Sequence, residues 1–183
     1  MAKMDKRAIT LKDGIIEIES PKIEDAEELI RFIKTVDIET DFLIREPDEF
    51  KFGLEDEQKF IQSKLESERD LFLKATYHGQ IVGTLGFAVL TNKRYRHRGQ
   101  FGIAIQKACW GKGIGKALME TLLEWCEQIG IEKITLEVDA NNERAIELYK
   151  KYGFEQEGYL KNDKKMSDGS YRDSLIMAKM MIE

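Results

Sequence analysis

The chain has only two cysteines, two histidines and two prolines in 183 residues, and these scarcities exclude several functions at once. Cys109 and Cys126 stand apart, outside any CxxC pair, so neither a disulfide framework nor a zinc site is expected. His78 and His97 do not supply a histidine-based metal centre, and no metal is expected. Long hydrophobic runs are missing too: the longest, Ile81 to Leu90, is broken by Gly83, Thr84 and Gly86 and falls far short of the roughly 20 residues that span a bilayer. No membrane partner is expected. The first ten residues carry lysines and an arginine with no apolar stretch behind them, which is not the pattern of a secretory signal, and the compartment is read as cytoplasmic. Positive charge is not in excess. With 29 Lys and Arg against 34 Asp and Glu, the net charge of −5 argues against a general nucleic-acid binder, which needs clustered cations for phosphate.

What remains is a composition of 42% hydrophobic and 34% charged residues, that of a folded globular protein. The length predicts a single domain over 1–183, since chains usually divide only above roughly 250 residues. Ala8–Leu11 and Ile15–Ile18 alternate around a Lys12-Asp13-Gly14 turn and predict a hairpin. After Ser20-Pro21, the apolar residues Ile23, Ala26, Leu29, Ile30 and Ile33 recur at helical spacing to about Lys34. A loop is expected from Val36 to Gly53, then a helix over Leu54–Ser67. Strands are predicted over Leu71–Tyr77, Ile81–Leu90 and Phe101–Ile105. Gly113–Ile129 reads as a helix stopped by Gly130, Ile134–Val138 as a strand, and Asn142–Tyr152 as a helix closed by Gly153. Two strands, near Phe154–Leu160 and Tyr171–Met180, finish the chain. The order predicts a mixed α/β (α+β) layered fold of about seven strands and about four helices.

The most informative stretch is Gly111-Lys112-Gly113-Ile114-Gly115-Lys116, between a strand and a helix. Glycines let the backbone approach a ligand, and the first-turn amides of a helix point outward at the positive end of its dipole. That arrangement suits a pyrophosphate. A P-loop is excluded because Ala117 follows Gly115-Lys116, and the dinucleotide fingerprint is excluded because the glycines are spaced by two.

A second stretch, Asn142 to Phe154, joins the first. Together they resemble the GNAT acetyltransferase superfamily: Trp110 to Gly115 is similar to its Q/R-x-x-G-x-G/A motif, with Trp110 in place of Gln or Arg. Asn142, Ala145, Leu148, Tyr149, Gly153 and Phe154 match its N-x-x-A-x-x-L-Y-x-x-x-G-F segment. The resemblance covers about Leu71 to the C-terminus. It implies a GNAT-like, mostly antiparallel sheet with a splay between the family's fourth and fifth strands, here Phe101–Ile105 and Ile134–Val138. It implies acetyl-CoA as cosubstrate, its pantetheine arm on the backbone of Ile103, Ala104, Ile105 and Gln106. Its pyrophosphate would meet Gly111, Lys112, Gly113, Ile114, Gly115 and Lys116, with Asn142 a further contact that is also a good N-cap.

The implied reaction is acetyl transfer to a primary amine, that of a peptide N-terminus, an amino acid, a polyamine or a similar acceptor, by direct attack, with Tyr149 as general acid for the departing thiolate. Tyr149 also lies on the apolar face of its helix, where a phenol can simply pack. Gln100 stands nearest to the Glu that many relatives use as base, and an amide accepts no proton. This keeps alive the alternative of an idle acyl-CoA-binding sensor or scaffold. It also favours an α-amine, whose deprotonation at pH 7 costs about 1.1 kcal/mol, over a lysine amine at about 4.6. Between Val36 and Glu57, nine carboxylates face only Arg45 and Lys51, an expected acidic rim for a cationic acceptor. The basic run Lys93 to Arg98 is expected at a hairpin tip, with contact to RNA or a ribosome as its other reading. The expected partners are thus a small-molecule or peptide amine, with room for a homodimer.

Overall fold

A computed structural model describes residues 3–182. The chain forms two compact units, one built from residues up to Ala88 with Ile103–Glu124, the other from Val89–Gly102 with Trp125 onward.

The first unit opens with β1 (Arg7–Leu11) and β2 (Gly14–Glu19), a hairpin in register from Arg7↔Ile18 to Leu11↔Gly14. The described residues form eight strands, one for each segment read as a strand from the sequence, against the expected total of about seven. β3 (Leu71–Tyr77) pairs antiparallel with β2 and with β4 (Gln80–Val89), and the C-terminal half of β5 (Arg98–Ile105) follows β4. Helix α1 (Ala26–Glu39) lays Ala26, Leu29, Phe32 and Val36 against Ile61 of α2 (Leu54–Glu66) and against Phe72 and Ile81 of the sheet. Burial of this apolar stripe is what stabilises both helices, because isolated helices of this length are marginal in water.

Helix α1 continues five residues past the expected end at Lys34, and the loop begins at Thr40 rather than Val36. Periodicity alone hides this extension because Asp37, a charge, occupies a buried position in the last turn. Arg45 makes that burial tolerable: its Nε and Nη2 donate to the two carboxylate oxygens of Asp37, each at 3.0 Å.

The second unit contains the first half of β5, then β6 (Lys133–Asp139), α4 (Glu143–Lys151), β7 (Glu155–Lys165) and β8 (Tyr171–Met180). Its strand order is β5-β6-β8-β7. β5 and β6 run parallel, joined by only three pairs from Arg98↔Lys133 to Gln100↔Thr135. β6 by contrast pairs with β8 along all of its length, from Lys133↔Met180 to Asp139↔Ser174. The parting expected between these two strands therefore begins after Gln100. β7 runs past the expected Leu160 to Lys165 through a register shift between Leu160 and Lys164. Asn162 adopts φ 53° inside that shift, and Asp173 holds it by accepting from its amide at 2.7 Å.

Helix α3 (Ile114–Gln128) carries Cys126, and a 3-10 turn at Lys107–Cys109 carries Cys109; both thiols are free and buried. Burial pushes the Cys126 thiol up to about 12 and raises that of Cys109. No helix of the described residues is long and apolar enough to cross a membrane, and among them no cluster of His, Cys, Asp or Glu forms a metal site.

Candidate active site

In the first unit the site begins where β5 ends. Ile103, Ala104 and Ile105 are half-buried, and Ala104 packs against the α1–α2 core. The Gln106 amide donates to Val82 O at 2.9 Å, the last bond to β4 before the chain turns. The next amide, Lys107 N, donates to Glu39 Oε2 at 2.8 Å, so the C-terminal end of α1 is tied to the residue after Gln106. Gln106 also lines an open cavity of about 480 Å³ with Arg31 and Thr35 of α1. Trp110, the departure from Gln or Arg, closes this turn: its indole N–H donates to Ile105 O at 2.8 Å.

The glycine turn follows. Gly111 and Gly113 have φ of 76° and 91°, values that side-chain-bearing residues adopt only with strain. A Cβ on Gly113 would find Leu11 Cδ2 at 3.5 Å, an ordinary contact, so backbone conformation rather than space demands glycine here. The first helical bond beyond it is Ala117 N to Gly113 O at 3.1 Å. The amides from Gly113 to Lys116 thus precede the intrahelical ladder, at the positive end of α3. Lys112 lies over the Tyr77 ring at 5.7 Å, and Lys116 is largely exposed, 3.8 Å from Glu120. Glycine strain, outward amides and two cations fit a pyrophosphate, the group that acetyl-CoA would bring.

The second unit supplies α4. Asn142 is its N-cap, with Oδ1 accepting from Ala145 N at 3.3 Å, while Asn141 stays exposed and gives its amide to Asp139. Asp139 was not singled out by the sequence. Its carboxylate is buried and accepts from Lys164 at 2.6 Å and from Arg172 at 3.5 Å, fixing the turn that leads into α4. Only the local spelling before Asn141-Asn142 hinted at it, since Asx residues there stabilise turns.

Tyr149 is buried on α4. Its ring meets Phe101 edge-on at 5.6 Å, and Phe154 at 6.1 Å. Burial holds the phenol far above the ordinary tyrosine range, so it stays protonated at every physiological pH. Gln100 is exposed on β5, opposite Thr135.

The acidic segment between the first helices is more ordered than a solvated rim. Asp37 is buried and paired with Arg45, Glu39 is spent on the Lys107 amide, and Asp56 accepts from Gly53 N at 3.0 Å at the start of α2. Glu57, read from sequence as one carboxylate among nine, is 1% exposed, and its Oε1 has no hydrogen-bond partner among the described residues. Burial raises its carboxyl to about 6, with Arg45 opposing the shift.

Comparison with known proteins shows the family. The chain is 36% identical over 109 residues to the L-amino acid N-acetyltransferase AaaT of Escherichia coli (strain K12), covering 59% of this chain and 67% of that protein. It is 33% identical over 113 residues to the ribosomal protein bS18-alanine N-acetyltransferase of the same organism, covering 62% and 73%. The crystal structure of a GNAT-family acetyltransferase from Streptococcus pneumoniae superposes with a TM-score of 0.87 at 31% identity, covering 90% of this chain and 99% of that one. Residues 35–154 match the Acetyltransferase (GNAT) family, a stretch of sequence that includes Gly111–Lys116, Asn142 and Tyr149. The chain therefore belongs to the Acetyltransferase (GNAT) family and is an acetyl-CoA-dependent N-acetyltransferase.

Proposed function

We propose that the whole chain acts as one acetyltransferase domain whose acceptor is an α-amine, that of an amino acid or of a peptide N-terminus. The observation that carries the reading is the turn at Gly111–Lys116, where two glycines at positive φ lead into the free amides of α3. On this reading those amides, with Lys112 and Lys116, hold the pyrophosphate. The backbone of Ile103 to Gln106 lines up the pantetheine arm, and the Nδ2 of Asn142, whose Oδ1 is taken by the cap, is its further contact.

Acetyl-CoA supplies an acyl thioester when bound. The amine nitrogen forms a bond to the acetyl carbon, the C–S bond breaks, Tyr149 gives its proton to the departing sulfur, and the proton lost from the attacking nitrogen restores the phenol. A free thiol near pKa 8.5 is weaker as a base than tyrosinate near 10, so this transfer starts about 2 kcal/mol uphill in water. Burial of Tyr149 raises that difference further unless the thiolate is desolvated with it. The ring's aromatic packing and this role are compatible, because only the hydroxyl reacts.

Two relatives support the α-amine: one is named for L-amino acids, the other for an alanine of a ribosomal protein. Proton cost points the same way, about 1.1 kcal/mol for an α-amine at pH 7 against about 4.6 for lysine. Mass spectrometry of products from acetyl-CoA with L-amino acids, an alanine-initiated peptide and spermidine tests the reading. Acetylated α-amines with spermidine unchanged are expected, and acetylation of spermidine alone would overturn the acceptor assignment. Gln100 at the place of the usual base favours one other reading, an idle acyl-CoA sensor, which would bind the cofactor and release no thiol in the same panel.

A further inference from the structure

Glu57 is a buried acid without enough partners. It stands one turn before Phe60 and Ile61 on α2, so it shares the face that Ile61 turns toward the α1–α2 core. Within that apolar setting an acceptor oxygen with no donor is costly, and buried polar atoms are otherwise nearly always hydrogen-bonded. The nearby positive charge is Arg45, which turns its Nε and Nη2 to Asp37 and makes no hydrogen bond to the Glu57 Oε1. Asp37, Arg45 and Glu57 together carry one more negative charge than positive. What would complete the group is a cation with N–H donors.

Residues flanking Asp37 on α1 connect to the end of β5. Asp37 follows Val36, a member of the core against which Ala104 packs, and two residues later Glu39 binds the Lys107 amide. All these residues belong to the first unit.

We propose that Glu57 receives the ammonium of the acceptor and takes its proton, filling the role that Gln100 does not. The inference rests on the amine-acetylation reading above. In the step, one N–H of the ammonium passes its proton to a Glu57 carboxylate oxygen. The neutral amine then attacks the thioester carbon, the C–S bond breaks, and the second N–H proton of the attacking nitrogen ends on the thiolate; Glu57 afterwards releases its proton to solvent. The raised carboxyl supports the role, since a base that titrates near 6 is ionised at neutral pH yet strong enough to share the proton. The charged groups around it are Arg45 and, through Arg45, Asp37, and its apolar neighbours on α2 are Phe60 and Ile61.

The test compares wild type, Glu57→Gln and Glu57→Asp in steady-state kinetics from pH 5 to 9, using whichever amine the product panel identifies, with acetyl-CoA affinity and melting temperature measured alongside. Glu57→Gln is expected to lose about 10²- to 10⁴-fold in kcat/KM and its acidic limb, with cofactor affinity unchanged and a melting temperature no lower than wild type. Glu57→Asp keeps a carboxylate and should keep the limb at reduced rate. A Glu57→Gln enzyme within about threefold of wild type at every pH overturns the inference while leaving the acetylation reading intact. Parallel loss of melting temperature and activity in both variants overturns it as well, since a packing residue behaves that way. If wild type acetylates no amine at all, the parent reading fails first and this inference with it.

Discussion

Substitution of Gly113 by valine separates the cofactor turn from the rest of the fold. At φ 91° a β-branched residue is forced into backbone space it rarely enters, at a cost of roughly 1–2 kcal/mol. Steric conflict adds little at first, because the nearest atom to a new Cβ is Leu11 Cδ2 at 3.5 Å. For a chain of this size each kcal/mol moves the melting temperature by about 2–4 °C, so the cofactor-free variant should melt roughly 2–8 °C below wild type. Relief of strain would rotate the peptide that opens α3 and turn its first amides away from their common focus. Wild type with acetyl-CoA at 100 times its Kd should gain about 2.7 kcal/mol, or roughly 5–11 °C. Differential scanning fluorimetry should show that gain vanish in Gly113→Val. Gly79→Val is the control: Gly79 also has positive φ, at 77°, with nothing within 4 Å of a new Cβ, in the β3–β4 turn. It should lose comparable stability and keep the full cofactor gain. A full gain in Gly113→Val, or an equal loss in both variants, would refute the assignment of the phosphates to this turn.

Tyr149→Phe keeps the ring contacts with Phe101 and Phe154 and loses the proton, so turnover should fall about 10²- to 10⁴-fold with cofactor affinity unchanged; turnover within about threefold of wild type would make Tyr149 a packing residue only. Asn142→Ala removes the α4 cap and should cost about 1 kcal/mol, read as a 2–4 °C drop in melting temperature, whereas exposed Asn141→Ala should cost less. Glu57 also sets a pH dependence of stability. Its folded carboxyl, near 6, lies above the ordinary 4.5, so the folded state holds the extra proton, and stability falls as pH rises from about 4.5 to 6. Glu57→Gln should therefore melt about 4–8 °C above wild type at pH 7, on the order of 2 kcal/mol, with the gap closing below pH 4.5; a constant gap across that range would refute the linkage.

Most of the fold was legible because its signals are local. Gly113 opens one helix, Gly130 stops it and Gly153 stops another through backbone freedom alone, and the apolar run at Leu71 and the alternation of Ile134–Val138 mark strands without reference to neighbours. The end of α1 was illegible because Asp37 is acceptable inside only when Arg45, eight residues on, supplies both hydrogen bonds. Glu57 was hidden for the same reason: a carboxylate in an acidic stretch looks solvated until the packing around α2 is known. Trp110 could be seen to depart from the motif, but not that its N–H closes the turn on Ile105. Asp139 draws its partners from β7 and β8, residues 25 and 33 positions away, and no short spacing announces such a pair.

The burial of Cys109 and Cys126 gives the reaction a clean optical signal. With Cys126 titrating near 12, only about one molecule in 10⁴ carries that thiolate at pH 8, and Cys109 is likewise held back by desolvation. An aromatic disulfide reagent reacts with thiolates, so the folded chain contributes almost no colour of its own. Every thiol that appears in the cuvette is then free coenzyme A, counted one for each acetyl group moved, and a sudden protein-derived burst would instead report unfolding.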